Sequence, residues 1–157
     1  PQTKTYDLAD PNYVDSEDAM TILKAAADQY VSNHGPVISA QALFDNLNDG
    51  DASNDPQIIS VRKPEDYAKG HIPGAINISW KSIAKVENLK KIDPTRPVVT
   101  YCYTGHTGQV ACTVLNILGY DALNLKFGMM AWTKDQNVRA AKAFSEETDA
   151  HDFQVEK

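Results

Sequence analysis

One stretch of this chain carries the residue types of nucleophilic catalysis: Tyr101-Cys102-Tyr103-Thr104-Gly105-His106-Thr107-Gly108. A β-branched, strand-like run ends directly at the cysteine, Gly105 and Gly108 follow it closely, and a helical pattern comes next. Glycine lets a backbone turn so that several N–H groups point inward. A helix N-terminus adds about half a positive charge to the same spot. Such a ring favours thiolate over thiol, and thiolate is the nucleophilic form. Thr104 and Thr107 add hydroxyl donors. The ring also suits an extra sulfur atom: the thiolate takes the outer sulfur of a donor, holds it as a persulfide and yields it to a second nucleophile, a two-step covalent route. On composition alone an inert cysteine packed behind a strand is the stronger reading, and the strand–cysteine–glycine-loop–helix context brings the two level. Cys112 lies within the helical run, has no such loop and reads as structural. His106 is either a cationic aid when protonated or an exposed loop histidine, and the two readings weigh the same.

The elements around this loop follow from periodicity. Pro97–Tyr101 is the clearest strand, with proline only at its first position. The loop runs from Cys102 to Gly108; Val110, Ala111, Val114, Leu115 and Leu118 then make a helix that Gly119 stops. Upstream, Val37-Ile38 starts a strand and Ser39 caps a helix over Ala40–Leu47. A loop follows from Asn48 to Pro56, then a strand over Ile58–Val61, and Pro64 opens a short helix closed by Gly70. Ala75–Ile78 reads as a strand, Trp80–Val86 as a helix, Ala122–Leu125 as a strand and Met129–Trp132 as a helix start. Strands alternating with helices predict a parallel sheet covered on both faces, with ligands outside the carboxyl ends of its strands. Before this core, residues 1–36 form an irregular lead-in and a helix. Ser16 caps that helix, Ala19, Ile22, Leu23, Ala26 and Tyr30 form its inner stripe, and Asn33-His34-Gly35-Pro36 stops it. After the core, residues 134–157 read as a polar peripheral helix or tail.

Composition narrows the partners. The chain has 157 residues, 42% hydrophobic and 23% charged, which suits one domain with one core. The net charge is −6, and the arginines (Arg62, Arg96, Arg139) form no basic stripe, so nucleic acid is not the expected partner. No apolar run approaches the ~18 residues of a membrane span. Two cysteines and four histidines show no metal-ligand spacing, so neither a metal nor another cofactor is expected. An unpaired reactive thiol fits a reducing cytoplasm, and a processed, exported protein is compatible with a start at Pro1.

The loop, taken with two further segments, resembles the rhodanese family of sulfurtransferases. Cys102–Gly108 is similar to the family loop C-x-x-G-x-[RT]-[AGS]. Ile59-Ser60-Val61-Arg62 through Tyr67, followed by Gly70-His71-Ile72-Pro73-Gly74-Ala75-Ile76-Asn77, resembles D-V-R-x-x-x-[ED]-[YF] and G-H-I-P-G-A-x-N. Gly128-Met129-Met130-Ala131-Trp132 is similar to G-G-x-x-A-W. The resemblance runs from about Val37 to Trp132. It implies an α/β rhodanese fold, a central five-stranded parallel sheet flanked by helices on both faces, with a domain over 37–133. It also implies transfer of a sulfane sulfur from a thiosulfate, persulfide, polysulfide or mercapto acid donor to cyanide or a thiol through a Cys102 persulfide. Tyr103, Thr104, Gly105, His106, Thr107 and Gly108 would line the site and Arg62 would support it, braced through a carboxylate. His71 reads as a structural hydrogen-bonding residue, and Pro73-Gly74 suits a type II turn.

Four departures qualify the likeness. Ser60 stands where the family has Asp, and Phe127 where it has the first Gly of G-G-x-x-A-W. Tyr103 and Thr104 occupy positions where thiosulfate-using members carry Arg or Lys, and Thr107 stands in place of Arg. A neutral or singly charged donor therefore suits the loop better than a dianion. A fold-sharing phosphatase would need an arginine six residues after the cysteine, where Gly108 stands. The remaining alternative is a rhodanese-like sulfur carrier, sensor or binding module with little turnover, in which a protein accepts the sulfur.

Overall fold

A computed structural model describes residues 4–9, 19–32 and 37–156. Ser16 and the Asn33–Pro36 stop lie outside these residues. Five strands form one sheet: β1 (Val37–Ile38), β2 (Gln57–Ser60), β3 (Ile76–Asn77), β4 (Val98–Tyr101) and β5 (Ala122–Leu125), in the order β1-β5-β4-β2-β3. Every pairing is parallel, with Thr100 opposite both Ile59 and Asn124. β4 is therefore central, and Cys102 follows its carboxyl end.

Side-chain alternation along the strands builds a core on each face. Ile59, Val98 and Ala122 point to one face, where they meet Ala111, Cys112 and Leu115 of α5 (His106–Ile117) and Leu89 of α4 (Val86–Leu89). Ile58, Val99, Tyr101 and Leu125 point to the other. There they meet Leu43 of α2 (Ala40–Asn46), Tyr67 of α3 (Pro64–Ala68) and Met129 and Trp132 of α6 (Met129–Trp132). Helices thus cover both faces of the parallel sheet. Ser39 caps α2 by accepting the Ala42 N–H at 3.0 Å, and Gly74 supplies the positive φ of its turn, +76°. Among the described residues, the C-terminal segment holds two short helices, α7 (Gln136–Arg139) and α8 (Glu146–Asp149).

Several local expectations need correction. The region Trp80–Val86 is a 3₁₀ turn over Trp80–Ser82 followed by the separate α4, because Ile83 and Leu89 must both reach the core and a continuous helix starting at Trp80 is not formed. The strand expected over Ala75–Ile78 pairs only at Ile76–Asn77, since Ala75 closes the turn from Ile72 instead. The cysteine loop is shorter than its motif: α5 starts at His106, so His106, Thr107 and Gly108 are its first turn. The helix before the core, α1 (Ala19–Ser32), packs on α5 by a narrower face than its apolar stripe suggests. Ala26 is buried and Tyr30 reaches Gln109 Nε2 at 2.5 Å, whereas Leu23 is 53% exposed. A single helix laid on α5 covers only the side that faces it.

That geometry predicts a contrast. Leu115→Ala, in the fully buried face of α5, should cost about 2–5 kcal/mol in urea unfolding. Leu23→Ala should change stability by about 0.5 kcal/mol or less. Comparable losses from the two would contradict the placement of α1.

Candidate active site

Cys102 sits where β4 ends and is almost wholly covered, at 1% exposure. Its Sγ accepts a hydrogen bond from the Gly105 N–H at 3.2 Å. Gly105 is the N-cap of α5 with φ +100°, a left-handed turn that aims its amide back at the sulfur. The first i→i−4 bond of the helix runs from the Gln109 N–H to the Gly105 carbonyl at 3.0 Å. The N–H groups of His106, Thr107 and Gly108 therefore precede the helical ladder and face the same end as the sulfur. A thiolate or a sulfur chain on Sγ would lie at the positive pole of a 12-residue helix.

Close packing sets this geometry. A Cβ on Gly108 would lie 3.2 Å from the Cys102 nitrogen and would collide with Asn124 Oδ1. A methyl group there would have to displace the buried Asn124 amide and press on the Cys102 backbone, so glycine suits the close approach of α5 to the strand ends. Gly128, at φ +54°, plays the same part on the other side: a Cβ there would lie 2.5 Å from the Cys102 carbonyl oxygen. That approach lets Met129 and Met130 donate their N–H groups to the Cys102 and Tyr103 carbonyls at 2.9 and 3.1 Å. The preceding residue, Phe127, also has positive φ, +61°, and its side chain is exposed.

The other residues singled out from sequence fall into distinct places. Thr104 and His106 are at the loop rim, with Thr104 Oγ1 3.5 Å from His106 Nδ1. Thr107 is partly buried in the first helical turn. Tyr103 does not present its hydroxyl to the site. It donates to Asp66 Oδ2 at 2.7 Å and accepts from the Lys63 N–H at 3.1 Å, tying the loop to α3. Burial, then the bond to Asp66, pushes its phenol up to about 12. Lys69, then Tyr103, hold the Asp66 carboxyl below its ordinary range.

Arg62 is braced, but not through a carboxylate. Its buried guanidinium donates to the carbonyls of Val138, at 2.8 Å, and Gly70, and lies between the rings of Tyr101 and Tyr103, 5.5 and 5.9 Å from their centroids. The nearby carboxylate, Asp66, is held by Tyr103 and Lys69 instead. His71 accords with a scaffold role: its Nδ1 is 3.0 Å from the Tyr67 carbonyl and its ring stacks on Tyr67 at 3.9 Å. Ser60 is buried and its hydroxyl has no hydrogen-bond partner among the described residues.

Two residues at the site were missed from sequence. Asn124, buried in β5, donates from Nδ2 to the Gly105 carbonyl at 3.3 Å, so it steadies the residue whose amide holds the sulfur. Its signal was present: an amide inside an otherwise apolar strand asks for a partner. Asp66 gave no such signal, because its role depends on Tyr103 crossing from another element. Among the described residues, no three His, Cys, Asp or Glu side chains come together as a metal site.

Two tests follow. Gly128→Ala should lower stability by roughly 2–4 kcal/mol, from the left-handed φ and the clash together; an unchanged midpoint in urea would contradict the close approach. Cys112 is the second test. Its thiol donates to the Ala122 carbonyl at 3.2 Å, and burial pushes it up to about 12. The unfolded chain ionises this thiol from about 9, so its contribution to stability is complete below pH 9 and is lost as pH rises toward 12. Between those limits Cys112→Ala should flatten the fall of stability by up to about 1.4 kcal/mol per pH unit. Parallel curves for the two proteins would refute the assignment.

Comparison with known proteins agrees with this geometry. The model of the rhodanese-like domain matches residues 39–135. A putative sulfurtransferase of Bacillus subtilis, YtwF, is 32% identical over 103 residues, covering 64% of this chain and 95% of that protein. A sulfurtransferase of Allochromatium vinosum is 32% identical over 98 residues, covering 62% of this chain and 87% of that protein. A crystal structure of a rhodanese-like domain protein from Staphylococcus aureus superposes with a TM-score of 0.56 at 28% identity, covering 62% of this chain and 91% of that one. With its parallel sheet, its cysteine at the end of the central strand and these relatives, the chain belongs to the rhodanese-like family.

Proposed function

We propose that the chain is a sulfurtransferase that moves a sulfane sulfur through a persulfide on Cys102. The observation that carries this reading is the seating of Cys102 Sγ, 3.2 Å from the Gly105 amide at the N-terminus of α5. In the first step the Cys102 thiolate attacks the outer sulfur of the donor. The new S–S bond forms as the bond between the donor's two atoms breaks, and the leaving group departs with that electron pair: sulfite from thiosulfate, a thiolate from a persulfide. The anionic persulfide then rests under the Gly105 amide and the first-turn amides of α5, which stabilise it as oriented dipoles. In the second step a nucleophile such as cyanide or a thiolate attacks the outer sulfur, the bond to Sγ breaks, and the electron pair returns to Sγ.

The donor class follows from what the loop lacks. Arg62 turns its two terminal nitrogens to the Gly70 and Val138 carbonyls, its Nε has no hydrogen-bond partner among the described residues, and no permanent cation stands among Tyr103, Thr104, His106 and Thr107. A persulfide, polysulfide or mercapto acid, with one negative charge or none, suits this setting better than the thiosulfate dianion.

Steady-state kinetics test the proposal. Varying donor and cyanide together should give the parallel double-reciprocal lines of a ping-pong reaction, with a higher kcat/KM for polysulfide than for thiosulfate. Cys102→Ser should lower turnover by about a thousandfold or more. Turnover that survives this substitution would refute the role of Cys102. A persulfide that forms but discharges only slowly to small acceptors would instead mark a carrier that hands its sulfur to a protein.

A further inference from the structure

One buried polar side chain beside the cysteine loop is only half used. Asn124 is 5% exposed and sits on β5, the neighbour of β4 in the sheet. It stands opposite Thr100, on the face of the sheet that also carries Cys102 and meets α5. Its Nδ2 donates to the Gly105 carbonyl at 3.3 Å. Its Oδ1 has no hydrogen-bond partner among the described residues and lies against Gly108. The reversed amide would set Oδ1 against the Gly105 carbonyl oxygen, two acceptors face to face, so that carbonyl fixes which way the amide points. Burying an amide with one end unpaired costs stability that an apolar residue at the same place would not. Whatever offsets that cost comes through the donor end, at Gly105.

The Gly105 carbonyl accepts twice, from Asn124 Nδ2 and from the Gln109 N–H at 3.0 Å. It shares a peptide unit with the His106 N–H, one of the first-turn amides that precede the helical ladder of α5. Donors on a carbonyl draw charge from its peptide and strengthen the N–H of that peptide as a donor in turn. The same bond holds Gly105 in the left-handed turn, φ +100°, that aims its own N–H at Cys102 Sγ, 3.2 Å away. A neutral side chain on the next strand thus acts on the amides around the sulfur. Its effect is largest in a loop without a permanent cation. With Tyr103, Thr104 and Thr107 uncharged, oriented dipoles are what the loop offers to an anion.

We infer that Asn124 is a positioning residue for the chemistry of Cys102, a role that rests on the sulfurtransferase reading. Through the Gly105 carbonyl it holds the Gly105 amide on Sγ and polarises the Gly105–His106 peptide. Both effects favour the anionic sulfur at neutral pH, the form that takes sulfur from a donor. The titratable side chains on the elements around Cys102 are Tyr101, Tyr103, His106 and Cys112, with Arg62 at the end of β2 and Lys126 after β5. Beyond them stand Asp66, bound by Tyr103, and Lys81 and Glu87 of the 3₁₀ turn and α4. Replacing Asn124 by an uncharged residue alters none of these, so a change in the ionisation of Cys102 reports the lost donor.

The test follows alkylation of Cys102 by iodoacetamide against pH in the full chain, with the modified cysteine located by peptide mass. Persulfide loading from polysulfide is measured beside it in single turnover at pH 7. Asn124→Leu keeps the size of the side chain and removes the donor. Asn124→Thr, a residue at home in strands, removes it by shortening the reach and serves where leucine prevents folding. Leu115→Ala, buried in the body of α5, loosens the same helix and leaves both donors on Gly105 in place. In the Asn124 variants the midpoint of the alkylation profile should rise by about one pH unit, and loading at pH 7 should fall about tenfold and recover at higher pH. In Leu115→Ala the midpoint should not move. An unmoved midpoint in the Asn124 variants, whether or not loading slows, would overturn the role of Asn124 and leave sulfur transfer standing. An equal rise in Leu115→Ala would do the same, by reducing Asn124 to one more packing residue. A midpoint that rises in a chain that takes up no sulfur would overturn the transferase reading while upholding the action of Asn124 on the Cys102 thiol.

Discussion

The site depends on how closely the start of α5 approaches the ends of β4 and β5. At Gly108 the backbone of the helix comes so near Cys102 and Asn124 that a methyl group would have to displace the buried Asn124 amide. This approach turns an ordinary strand–loop–helix connection into a cradle, because it brings the Gly105 amide within 3.2 Å of Sγ. It also leaves the first-turn amides of α5, which precede the helical ladder, at the end of the helix that faces Sγ. Thr100 strengthens the approach by donating its buried hydroxyl to the Gly108 carbonyl at 3.0 Å. On the far side, Gly128 admits α6 closely enough for its amides to hold the Cys102 and Tyr103 carbonyls. Cys102 is thus held from both directions by backbone, which has little freedom to drift.

A second layer fixes the elements that carry this backbone. Tyr103 leaves the loop to grip Asp66 on α3, and Tyr101 accepts the Ile72 N–H at 3.2 Å. Between their rings lies Arg62, whose charge is met by carbonyl dipoles and π faces. A buried guanidinium of this kind is costly to desolvate, and carbonyls return only part of that cost. Its benefit is positional: it joins the end of β2 to the Gly70 turn and to Val138 of α7.

Much of this was legible in the residues themselves. Alternating strands and helices, the cap at Ser39 and the turn at Pro73-Gly74 are local features, and local chemistry sets them. The cysteine loop was legible for the same reason, since strand, cysteine, glycines and helix adjoin in sequence. What was not legible required knowledge of distant partners. The bracing of Arg62 by carbonyls depends on Val138, 76 residues away. The engagement of the Tyr103 hydroxyl depends on Asp66, and the value of Asn124 on the Gly105 carbonyl. The split of the expected Trp80–Val86 helix has a similar origin, because core contacts at Ile83 and Leu89 override local preference.

The central claim is that Cys102 holds the sulfur in transit. It is tested most directly by exposing the full chain to polysulfide or thiosulfate, removing excess donor and taking the intact mass without reductant. One added sulfur atom, absent in Cys102→Ser, retained in Cys112→Ala and released by cyanide, is the predicted result. An unchanged mass with both donors while Cys102 remains alkylatable, or an added sulfur that persists in Cys102→Ser, would contradict the account.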